Sequence, residues 1–187
     1  MKTYQRETRE TRVVLTLALA GAPSTDLPAI STGEPFLDHM LVTWARYSGV
    51  ALGVQAAGDL RHHLIEDVAI TLGLAVKDQL PQACRRYGHA VIPMDDALVE
   101  AALDVGGRAY YEGRLPSNLY QHFLRSFAEN AAATLHVRVL RGQDRHHIVE
   151  AAIKATALAT RAALVTADSI FSTKGAVRIE HDVKPKD

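Results

Sequence analysis

The chain has one cysteine, Cys84, in 187 residues. No intrachain disulfide can form, and a reducing compartment suits such a chain. It has no apolar run of about 18 residues, so no membrane-crossing helix is expected. The opening MKTYQRETRETR lacks the apolar core of a secretion signal. A cytoplasmic location is therefore expected. Charge of one sign is missing as well: 21 Lys and Arg balance 21 Asp and Glu. That balance argues against a general nucleic-acid surface or an anionic-membrane surface. What remains is ordinary for a soluble globular protein, at 48% apolar and 22% charged residues. The length allows one well-buried domain or two small, intimately packed halves.

Residues 11–20 alternate, with Val13, Leu15, Leu17 and Leu19 on one face of an expected strand. Residues 21–33 read as a loop. Leu37, Met40, Leu41 and Trp44 then fall at helical spacing over 35–48, with Gly49 as a stop. A short strand is expected at about 50–57. A helix over 62–80 follows, with Ile65, Val68, Leu72 and Val76 on one stripe. The second half repeats this order. It has a strand over 97–105, a further strand in RAYYEGR, a helix capped by Ser117 or Asn118, a strand over 133–141 and an alanine-rich helix over 146–166. Strand–helix–strand–helix thus occurs twice without a linker. The expectation is one compact α+β unit with a pseudo-twofold internal repeat, its sheet covered by helices. The half-repeats span about 1–88 and 89–178, with a polar tail over 179–187.

Histidine is plentiful, at nine residues. His62-His63-x-x-Glu66 and His146-His147-x-x-Glu150 each open a helix and lie 84 residues apart (146 − 62). His39 lies 23 residues before His62, and His122 lies 24 before His146. Residues i and i+4 share a helix face, so His62 with Glu66, and His146 with Glu150, can each grip one ion. Adjacent residues diverge by about 100°, so His63 and His147 face different ions. With one lone histidine per ion, two ions use three imidazoles and one carboxylate each. This donor set suits Mn, Fe or Zn in a catalytic role. A single copy of the motif can also be a capping and solvation pattern; two copies, each with an upstream histidine, argue against chance. His136 reads as a structural residue on a strand's polar face, and His89 and His181 as surface residues.

The stretches TGEPFLDHML (32–41), GDLRHHLIEDVAITLG (58–73), RRYGHAVIPMDDAL (85–98), LDVGGRAY (103–110), HHIVEAAIKA (146–155) and STKG (172–175) give the chain a close resemblance to imidazoleglycerol-phosphate dehydratases. TRETRV (8–13), HFLRSFA (122–128) and TLHV (134–137) add to it, in the family's order. The resemblance implies a lyase of histidine biosynthesis. It converts D-erythro-imidazole-glycerol phosphate to imidazole-acetol phosphate, with two Mn²⁺ holding the substrate ring as imidazolate. One ion would take His39, His63, His146 and Glu150; the other would take His62, Glu66, His122 and His147. It also implies a 24-subunit homo-oligomer with sites at subunit interfaces, and Glu10 as the proton-transfer residue. Arg86, Arg108, Lys154, Ser172 and Lys174 would hold the phosphate. Lys154 lies at i+4 from Glu150, on the same stripe.

Three departures stand out. Thr43 stands where the family commonly has Gln, Tyr47 where it commonly has His, and the segment before His62 is short. A dinuclear metal-dependent phosphohydrolase and a non-catalytic metal-assembled shell protein are the rival readings of the eight ligands. No nucleic-acid or membrane partner is expected.

Overall fold

The computed structural model describes residues 1–19 and 29–169. Eight strands and four helices follow one another as β1 (Lys2–Glu7), β2 (Thr11–Ala18), β3 (Ile30–Ser31), α1 (Pro35–Ser48), β4 (Ala51–Gly58), α2 (Arg61–Asp78), β5 (Tyr87–Met94), β6 (Ala97–Asp104), β7 (Tyr110–Gly113), α3 (Asn118–Asn130), β8 (Thr134–Arg141) and α4 (Arg145–Ala163). The strands form two four-stranded sheets with the same plan, β1-β2-β4-β3 and β5-β6-β8-β7. In each sheet three strands run antiparallel and a short fourth joins in parallel, β3 on β4 and β7 on β8. A parallel neighbour needs a crossover, and α1 and α3 supply it. The mixed α+β class and the internal repeat are therefore as expected.

Each half also holds strands that the apolar pattern does not announce. β1 (KTYQRE) is an edge strand of mostly exposed polar residues, so it has no alternation to read. β5 contains Gly88 and Pro93. Proline cannot donate to a ladder and is tolerated here because β5 is the other sheet's edge.

One apolar core runs through both halves. The inward rows Val13, Leu15 and Leu17 of β2 and Val99, Ala101 and Leu103 of β6 are buried under the helices. The helices pair across the halves, α1 on α4 and α2 on α3. Trp44 of α1 meets Phe127 of α3 edge to face with ring centroids 5.8 Å apart, and Phe36 meets Tyr120 in the same way at 5.0 Å. Such pairs contribute about 0.5–1.5 kcal/mol each beyond the area they bury. Gly49 ends α1 in the left-handed conformation at φ 73°, its N–H donating to Ala45 O. The alanines at 151, 152, 155, 157 and 159 make the face of α4 thin, and β5 and β6 close down on it.

Among the described residues, no helix is long and apolar enough to cross a membrane. Ser172, Lys174, His181 and the polar tail lie outside the described residues.

Candidate metal centres

The two His-His motifs stand at the first turns of α2 and α4, but the turns are built differently. Asp144 caps α4, its Oδ1 accepting from His146 N at 2.7 Å and His147 N at 3.3 Å. The matching place before α2 is Leu60, which has no side-chain cap. Asp59 stands in by accepting from Leu60 N at 2.6 Å.

Because α1 packs on α4, His39 is brought to the His146–Glu150 stripe. His39 Nε2 lies 3.4 Å, and His146 Nε2 3.2 Å, from Glu150 Oε2. Because α2 packs on α3, His122 meets the other stripe. His122 Nε2 lies 3.1 Å from Glu66 Oε1, and His62 Nε2 lies 3.6 Å from Glu66 Oε2. In each trio the ligand atoms all lie within 4.8 Å of one another. The His122 Nε2 atom is buried and makes no hydrogen bond. A buried ring nitrogen facing a carboxylate without bonding to it is what a metal ligand looks like, and the nitrogen–oxygen donor set suits a divalent transition ion.

His63 and His147 point away from the trios on their own helices. His63 Nδ1 donates to Asp59 Oδ1 at 2.9 Å and lies 3.5 Å from Glu10 Oε2. His147 Nδ1 donates to Asp96 Oδ1 at 2.7 Å, with Asp95 near its other nitrogen. A carboxylate behind Nδ1 fixes the tautomer and makes Nε2 the ligating nitrogen; that of His147 lies 3.3 Å from Asp95 Oδ2. The Asp59 hydrogen bond holds His63 above its ordinary pKa, and the Asp96 bond does the same for His147. Sequence reasoning did not assign Asp59, Asp95 or Asp96. The available signal was acids in tight turns, four residues before His63 and at the β5–β6 hairpin tip.

Asp96 also accepts from Gln143 N at 2.6 Å and Asp144 N at 3.1 Å. The Gln143 amide, then His147, then the Asp144 amide hold its carboxyl down at about 2. That lies below its unfolded value of about 3.9. Its stabilising contribution is therefore complete above pH 4 and is lost as pH falls through about 2. Asp96→Asn is expected to lower the urea midpoint of the metal-free protein at pH 7, with the gap to wild type closing between about pH 4 and pH 2. A gap that stays constant over this range would show that the Asp96 charge carries none of the effect.

Glu10 is exposed at the β1–β2 turn, beside the start of α2. The buried Asp67 fixes this turn by binding the Thr11 hydroxyl and pairing with Arg6. Lys154 lies 2.7 Å from Glu150 Oε1, with Met94 Sδ at 3.3 Å and the Tyr47 ring centroid at 5.5 Å. Burial pushes the Glu150 carboxyl up, but Lys154 and His39 outweigh it and hold the group below the ordinary range. Thr43 is buried in α1.

Arg86 and Arg108 lie elsewhere. Arg86 forks onto Asp104 at 2.6 and 3.0 Å, and its backbone N–H donates to Ala163 O at the far end of α4. Ala163 is about 25 Å along the helix from His146, at 1.5 Å rise per residue. Arg108 is exposed on the β6–β7 loop, its carbonyl bonded to the Thr134 hydroxyl. These two arginines share one end of the molecule and do not reach the metal trios of the same chain. His136 is exposed with its ring 5.6 Å from that of Tyr110, and His89 is exposed on the same sheet.

The chain is similar to known proteins over most of its length. The family model for imidazoleglycerol-phosphate dehydratase matches residues 32–160. The chain is 42% identical to the imidazoleglycerol-phosphate dehydratase of Granulibacter bethesdensis, over 94% of this chain and 97% of that one. It is 44% identical to that of Pyrobaculum calidifontis, over 94% and 99%. The crystal structure of the Pyrococcus furiosus enzyme, bound to (S)-C348, superimposes with a TM-score of 0.83 at 37% identity, covering 93% of this chain and all of that one. By its fold and its sequence, the chain belongs to the imidazoleglycerol-phosphate dehydratase family.

Proposed function

We propose that the whole chain is one dehydratase domain, built from half-repeats of about 1–88 and 89–178. It acts in the cytoplasm and converts D-erythro-imidazole-glycerol phosphate to imidazole-acetol phosphate. The observation that carries the reading is the pair of equivalent His-His-Glu trios, each one ligand short, beside a fourth histidine that faces away from both. His39, His146 and Glu150 would hold one Mn²⁺ with His63 of a neighbouring copy. His62, Glu66 and His122 would hold the other with His147 of a neighbouring copy. A 24-subunit assembly would supply those neighbours, and would also bring Arg86 and Arg108 to a site that their own chain cannot reach.

When bound, the ions supply Lewis acidity to the substrate's imidazole. The chain's residues do the rest. The proton to be lost sits on the middle carbon of the side chain, which has no adjacent carbonyl, so a placed base is required. Glu10 Oε2 takes that proton. The hydroxyl on the carbon beside the ring leaves as water, and the resulting enol, whose hydroxyl is on the middle carbon, relaxes to the ketone. Arg86, Arg108, Lys154, Ser172 and Lys174 hold the phosphate; the arginines' planar forks match its oxygens. Lys154 Nζ has three N–H donors, and Glu150 and Met94 occupy two of them.

The test is a product assay on protein stripped with chelator and then restored with Mn²⁺. Imidazole-acetol phosphate is expected only after restoration, with no free phosphate. Phosphate release without the ketone would make the chain a phosphohydrolase. Two ions bound per chain with neither product would make it a metal-assembled shell.

A further inference from the structure

The two metal trios are related by the internal repeat, yet their carboxylates are treated differently. Glu150 is 8% exposed and its Oε1 is taken by Lys154 at 2.7 Å, so only Oε2 faces His39 and His146. Lys154 itself is only 13% exposed and is lodged between Met94 Sδ and the Tyr47 ring. In the first half, the residue four after the glutamate is Ile70. Glu66 is 33% exposed, and its two oxygens face one imidazole each, Oε1 to His122 and Oε2 to His62. Among the described residues no lysine or arginine forms an ion pair with Glu66. The other charges near the trios are more evenly matched. Arg61 and Arg145 occupy equivalent places at the helix starts. His63 and His147 each have an aspartate behind Nδ1.

We infer that the two metal positions are unequal, and that Lys154 makes the Glu150 position the weaker one. The inference rests on the metal reading above. A cation in contact with a carboxylate cancels part of the charge that attracts a second cation, and burial strengthens that effect. It also leaves Glu150 a single oxygen to offer, where Glu66 can offer two. Lys154 is a positioning residue here, acting through Glu150, and Tyr47 and Met94 keep its ammonium in place.

The experiment is a Mn²⁺ titration of metal-stripped, substrate-free protein, followed by the spectrum of the free ion. Wild type is expected to show two classes, one ion per chain each, with affinities about tenfold or more apart. Glu150→Gln should remove the weak class and Glu66→Gln the tight one. Lys154→Met, which keeps the stem and removes the charge, should tighten the weak class by about tenfold and leave the other unchanged. Lys154→Arg keeps the charge and should keep the gap. One uniform class in wild type, no movement in Lys154→Met, or the same closing of the gap in Lys154→Arg would each overturn the inference. A wild-type protein that binds no Mn²⁺ would instead sink the metal reading itself, and this inference with it.

Discussion

His39→Ala and His63→Ala are each expected to abolish dehydration, and mixing the two inactive proteins is expected to restore part of it. Within one chain His39 sits with His146 and Glu150, whereas His63 sits with Glu10 and Asp59. If one ion needs His39 from one copy and His63 from another, each variant lacks a ligand at every such site. Losing a ligand should cost more than the 10- to 100-fold typical of losing a ligand's supporting hydrogen bond. In assemblies reformed from an equal mixture, up to roughly a quarter of these sites would draw both histidines from intact partners, given symmetric random assembly. The control is His39→Ala mixed with His146→Ala. Both histidines come from the same chain's trio, so no mixed site is complete and activity should stay absent. If mass analysis shows mixed assemblies and the first pair still gains nothing, the shared-site arrangement is wrong.

Gly88→Ala should be the most damaging small substitution away from the metal centres. A Cβ at position 88 would lie 1.9 Å from the backbone oxygen of Ala159 and 2.9 Å from the nitrogen of Ala163. The obstacle is the backbone of α4, which no rotamer change can move aside. The strand or the helix must shift, and α4 also carries His146, His147 and Glu150. We expect a loss of about 3 kcal/mol or more. In a chain of this length that is a drop in melting temperature of roughly 6–12 °C. Thermal unfolding of the metal-free variant measures it. A drop of less than about 2 °C, below what 1 kcal/mol produces, would mean that β5 and α4 are not in such close contact.

Much of this fold was legible because most elements bury one face. The alternation at Val13, Leu15 and Leu17 and the stripe of Ile65, Val68, Leu72 and Val76 each matched a buried surface. β1 was not legible because its side chains are mostly polar and in water; β5 alternates, with Gly88, Ala90, Ile92 and Met94 on its covered face, but Gly88 and Pro93 hide the pattern in the sequence. At the site, the His62–Glu66 and His146–Glu150 pairs followed from helix geometry alone. Spacing could not say which lone histidine joins which pair, since the packing of α1 on α4 and of α2 on α3 decides that. Asp59 and Asp96 escaped notice for the same reason: Asp96 reaches His147 only because the β5–β6 hairpin folds back to the start of α4. The contact of Tyr47 with Lys154 likewise exists only once two helices from opposite halves have met.

That exchange of helices has a consequence for ancestry. A polypeptide ending after α2 would expose the faces of α1 and α2 that α4 and α3 now cover. Two copies of such a half-length chain could cover each other through those same faces, as a twofold dimer. In that dimer every mutation would change both trios at once, and a lysine beside one carboxylate would be a lysine beside both. Joining the copies end to end breaks that coupling, and position 154 becomes free to be lysine while position 70 is isoleucine. Tandem fusion here turns one symmetric device into two that selection can adjust separately.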